Sequence, residues 1–93
     1  MFGILQYPLI DEINEIPNVC IQNFLTIQDH NGIPTLCVVV DENTKCKINY
    51  IVYRVGTGCE MNFKEIKNYI ATTQDEKGYV WHWFWQTKFN KED

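Results

Sequence analysis

Hydrophobic positions along this chain recur mostly at every second residue, the period that places alternate side chains on the two faces of a β-strand. From Val19 to Gln28, Val19, Ile21, Leu25 and Ile27 fall on one face, and Gln22, Thr26 and Gln28 on the other. This predicts a strand with one wet side. Asp29-His30-Asn31-Gly32 follows, and Asn-Gly between two apolar runs is a strong hairpin signal, because both residues tolerate the positive φ of a type I′ turn. Thr35–Asp41 (TLCVVVD) is nearly continuously apolar and β-branched, which predicts a central strand covered on both faces. Lys47–Val55, Tyr69–Thr73 and the aromatic Tyr79–Lys88 read as further strands. Phe2–Ile10 is also apolar, but Pro8 cannot donate a ladder bond and confines it to an edge. Asp11–Pro17 is polar and reads as a turn.

The elements add up to an all-β domain, with one short helix allowed within Cys59–Asn68. Its expected form is a small antiparallel sheet, a sandwich or a partly open barrel of five to six strands. One domain is expected over residues 1–88, with a frayed tail at 89–93. A chain of 93 residues buries only roughly 60–65% of its unfolded surface. The core must therefore be rich in aromatics or supported by oligomerisation, and three Trp, five Tyr and five Phe supply the first.

Charge and cysteines narrow the functional classes. Eight Lys plus Arg against twelve Asp plus Glu give a net charge of −4. Direct nucleic-acid binding through a broad basic surface is not expected, although a local anion pocket is compatible. No apolar run is long enough to span a membrane, and Met1–Ile10 has neither the charged start nor the apolar stretch of an export signal. Cys20, Cys37, Cys46 and Cys59 contain no CxxC pair, so no metal site is expected and reduced thiols are the preferred reading. No cofactor motif appears.

Candidate ligand-binding residues cluster late in the chain. Gly56-Thr57-Gly58 could offer backbone N–H groups to an anion, but the Lys of a phosphate-binding loop is missing, and a simple turn is the stronger reading. Arg54 is the only arginine and carries a planar donor fork suited to carboxylate or phosphate; a salt bridge is the competing reading. Trp81, Trp83 and Trp85 share one face of the last strand, while Val80, His82 and Phe84 share the other. One of these faces is expected in the core, and the other in an interface or an aromatic cleft for a flat ligand. His82 could act as a base only with a partner that the sequence does not identify, so no catalytic residue is assigned. Asp11-Glu12 and Asp41-Glu42 are turn residues whose spacing supports no carboxylate dyad.

These features occur in an order that resembles an uncharacterised family of small domains from bacteriophages and prophages. The matching positions are Tyr7-Pro8-Leu9, Ile16-Pro17, Asn31-Gly32-Ile33-Pro34, Val40-Asp41, Arg54 with Gly56-Thr57-Gly58, Tyr69-Ile70-Ala71-Thr72 and Val80-Trp81-His82-Trp83-Phe84. The likeness runs from Tyr7 to Trp85, with Cys37 where the family has Trp, Ala71 where it has Gly and Trp85 where it has a polar residue. It implies a phage protein acting in the cytoplasm of a bacterial host. The expected role is a non-enzymatic binding protein countering host defence, a homo-oligomer that sequesters a small anionic, nucleotide-like immune signal. The alternative is a protein–protein inhibitor of a host defence or CRISPR-type effector, and a virion role is also open.

Overall fold

The computed structural model describes residues 1–45, 47–58 and 68–88. The short helix allowed for Cys59–Asn68, apart from Asn68 itself, lies outside these residues, as do Cys46, Cys59 and the tail at 89–93. Seven strands are present among the described residues: β1 (Phe2–Pro8), β2 (Ile13–Val19), β3 (Ile21–His30), β4 (Ile33–Asp41), β5 (Ile48–Gly56), β6 (Tyr69–Gln74) and β7 (Val80–Lys88). They form two antiparallel sheets, ordered β1-β4-β3 and β2-β5-β7-β6, stacked as a sandwich instead of closed into a barrel.

Each sheet contributes one face to the core. Leu36, Val38 and Val40 of β4 alternate inward with Ile27 of β3, and meet Tyr50 and Val52 of β5, Ile16 of β2 and Trp83 of β7. Leu36, Val38, Val52 and Trp83 are 0% exposed. Each such aliphatic side chain stabilises the fold by about 1.5–3 kcal/mol. A three-ring contact rivets the sheets: Phe24 stacks on Trp85 with centroids 4.7 Å apart, and Tyr50 meets both rings edge-on. The Tyr50 hydroxyl also accepts a hydrogen bond from the Ile21 amide, at 3.3 Å.

The β3–β4 turn follows the Asn-Gly expectation, with φ of 56° at Asn31 and 87° at Gly32. Thr35–Asp41 lies within the central strand of its sheet, and β1 is an edge strand. Two readings are corrected. Asp11–Pro17 is not simply a turn, because Ile13–Val19 forms β2 against β5. This strand buries Ile16, leaves Ile13 exposed and carries a bulge between Ile16 and Val19, where Pro17 needs no ladder bond. Asn18 there adopts φ 60°, and its amide donates to Asn49 Oδ1 at 2.8 Å. Secondly, Leu25 does not share a face with Ile21 and Ile27. Register shifts between Ile21 and Asn23 and between Phe24 and Thr26 turn Phe24 toward the core and leave Leu25 exposed.

Candidate functional site

Strands β5 and β7 pair so that Arg54 lies opposite Trp83, and Gly56 opposite Trp81. The side chains of Arg54, Trp81 and Trp83 face the interior of the sandwich, near the end where Gly32 of the β3–β4 turn and Glu76 of the β6–β7 turn approach each other. The Arg54 guanidinium lies over the Trp81 ring, 4.0 Å from its centroid, and 5.9 Å from that of Trp83. Such an arrangement is worth up to about 2 kcal/mol where water is excluded. The ion pair from Arg54 to the exposed Glu12 is long, at 3.9 Å, and contributes little. Arg54 Nε is buried with no hydrogen-bond partner.

Asp75 fixes the other side of Trp81. Its Oδ2 accepts the indole N–H of Trp81 at 3.1 Å, while Oδ1 accepts the amides of Lys77 and Tyr79, both at 2.9 Å. That turn closes at Gly78, whose φ of 89° suits glycine. The indole hydrogen bond, foremost, then the turn amides and the positive charge of Arg54, hold the Asp75 carboxyl below its ordinary value. A depressed folded value means that the carboxylate's contribution is fully present above the ordinary carboxylate range, and is lost as pH falls through the lowered value. Asp75→Asn is therefore expected to flatten the acid limb of stability, read as melting temperature against pH by circular dichroism. An acid limb identical to that of the parent would contradict this role.

Arg54, Trp81 and Asp75 line a cavity of about 330 Å³, together with Asp29 and Gly32 from the β3–β4 hairpin and Glu76 from the β6–β7 turn. Three carboxylates thus share its wall with one guanidinium. The structure brings only Arg54 and Trp81 of the expected ligand-binding residues onto this wall.

Trp83 is fully buried, and its indole N–H donates to Thr73 Oγ1 at 2.9 Å, so its ring offers no stacking surface. Gly56 belongs to β5 and lies off the cavity wall. Thr57 and Gly58 form a turn in which the Thr57 amide already donates to the Val80 carbonyl, at 3.1 Å. Gly58 has φ 91° and open space where a Cβ would stand, which marks a conformational need and not a close approach. His82 lies on the outer face of its sheet. Its Nε2 is 2.8 Å from Thr57 Oγ1 and its Nδ1 is 3.1 Å from Thr72 Oγ1, which is in turn 2.6 Å from the Tyr69 hydroxyl. This row of hydroxyls satisfies the imidazole and clips three chain segments together.

Asp29, Asp75 and Glu76 were not anticipated from the sequence. Gln74–Gly78 reads from the sequence as a charged turn ending in Gly, and the Asp-x-x-Gly spacing of Asp75 and Gly78 is the one local signal that could have marked Asp75 as the residue organising it. Among the described residues, no group of three or more His, Cys, Asp or Glu side chains could hold a metal ion. Cys20 and Cys37 are free thiols. No helix among the described residues is long and apolar enough to cross a membrane. No family model matches the chain, and neither curated proteins nor solved structures give a match.

Proposed function

We propose that the chain is a non-enzymatic binding protein whose cavity at Arg54 and Trp81 takes a small nucleotide-type ligand. The observation that carries this reading is the guanidinium, stacked on Trp81 and joined to Glu12 only by a long ion pair, at a cavity whose wall also carries Asp29, Asp75 and Glu76. A phosphate complements the planar fork of Arg54. Ribose hydroxyls and an exocyclic base amine complement the carboxylates, which only accept hydrogen bonds when ionised. The volume of about 330 Å³ lies at the small end of ligand pockets, and suits one nucleotide unit better than a polymer. In the phage setting that the family resemblance implies, the ligand is a host immune signal and the role is its sequestration.

Calorimetric titration with a panel of nucleoside monophosphates, cyclic nucleotides and ADP-ribose derivatives tests this. Saturable binding of one class, with the nucleotide recovered unchanged afterwards, is the expected result. Absence of both heat and thermal shift across the panel would overturn it, and would move the reading to contact with a host defence protein. A chemically altered nucleotide would overturn the non-enzymatic part.

A further inference from the structure

We propose that β1 is a self-association edge, pairing antiparallel with β1 of a second copy around a two-fold axis at Ile4. This inference is independent of the ligand reading. Among the described residues the two sheets leave four edge strands, and three of them are blunted. β2 has Glu15, Pro17 and a bulge; β3 has two bulges and Asp29; β6 has six residues and a bulge between Tyr69 and Ala71. Charges, prolines, short lengths and bulges are the devices that stop sheet edges from pairing with other chains. β1 has an unbroken register from Phe2 to Pro8 against β4, no charged residue, and only Pro8, at its last position.

The backbone specifies the register of the pair. The Leu9 amide donates to the Pro34 carbonyl, and the Glu42 amide to the Met1 carbonyl, so the odd-numbered residues of this segment turn their polar groups toward β4. Phe2, Ile4 and Gln6 therefore direct their N–H and C=O groups to the open edge. A two-fold axis at Ile4 pairs Ile4 with its own copy and Phe2 with Gln6 of the other, which uses all three residues. Every hydrogen-bonded pair of this kind exchanges two bonds. The same register brings together the side chains of Phe2 and Ile4, now 65% and 66% exposed, on one face of a continuous six-stranded sheet. A second copy is the favoured occupant because an uncharged strand met by its own uncharged copy buries no ionised group, and an isologous contact closes as a dimer.

Sedimentation velocity over the micromolar range is expected to show a species of twice the 11.0 kDa chain mass. Ile4→Lys sets two like charges opposite each other at the axis, and is expected to weaken association by about tenfold or more. Oxidation of Ile4→Cys is expected to give a covalent dimer above the parent's background, because a hydrogen-bonded antiparallel pair holds Cα atoms about 5.5 Å apart. Phe2→Cys and Gln6→Cys should not cross-link, since each faces the other position of the partner. This Cys series decides the matter even if Ile4→Lys fails to fold. A parent that remains monomeric, a folded Ile4→Lys that associates like the parent, or equal cross-linking at all three positions would overturn the proposal.

Discussion

Trp83→Ala is expected to abolish cooperative folding, or to leave a transition close to room temperature. Trp83 is 0% exposed, lies between Arg54 and Ala71 on the neighbouring strands, and donates its indole N–H to Thr73 Oγ1. Truncating a buried aromatic of this size costs about 3–5 kcal/mol. Leaving the Thr73 hydroxyl without its partner in a partly buried position adds to that loss. The total is a large share of the roughly 5–14 kcal/mol available to a domain of 93 residues. Trp83→Phe keeps most of the volume and loses mainly the hydrogen bond, so its loss should be near 1–2 kcal/mol, about the worth of that bond and some contact area. Urea unfolding followed by far-ultraviolet circular dichroism separates the three proteins. A Trp83→Ala midpoint within a few tenths molar of the parent would refute the central place given to this ring.

Arg54→Met is expected to weaken the nucleotide identified by titration by roughly 10- to 150-fold while leaving stability unchanged or higher. Losing a charged hydrogen-bond donor set typically costs about 1.5–3 kcal/mol of binding, which converts to that range. Stability should respond differently. The methionine gives up the guanidinium–Trp81 contact, but it keeps an apolar stem beside that ring and removes both a partly desolvated charge and the unpartnered Nε, which offset the loss. A residue that a protein holds at a cost to its own fold is a good candidate for function. Titration calorimetry and thermal melting on the same preparation supply both numbers. Unchanged affinity would remove Arg54 from the site, and a large loss of stability would assign it to the fold instead.

The sequence was most informative where a single local rule governed the chain. Asn31-Gly32 specified its turn because two consecutive positive φ angles admit few residues. Thr35–Asp41 specified a central strand because an apolar β-branched run is stable only when covered. The shared face of Trp81, Trp83 and Trp85 followed from strand periodicity alone. Strand β2 escaped because Ile16 is its one fully buried residue, and Asn14, Glu15 and Pro17 around it carry turn chemistry. Along β3 the alternation was real but interrupted twice, and a bulge is set by pairing with a neighbour instead of by the strand's own residues. The cavity was half legible. Arg54 and Trp81 stood out by rarity and spacing, whereas Asp29, Asp75 and Glu76 are ordinary turn residues until two distant hairpins bring them together.

The order in which strands are woven between the sheets also bears on how quickly this chain finds its structure. Among the described strands only β3–β4 and β6–β7 are hairpins of near neighbours; β1–β4, β2–β5 and β5–β7 each require a long loop to close before any ladder bond rewards it. Topologies dominated by such distant pairings fold on timescales of roughly milliseconds to seconds. The two local hairpins can form in about microseconds, and they carry Asp29, Gly32, Asp75, Glu76 and Trp81. Most of the cavity wall therefore resides in the fastest-forming pieces of the chain, while Arg54 joins it only when β5 docks between β2 and β7.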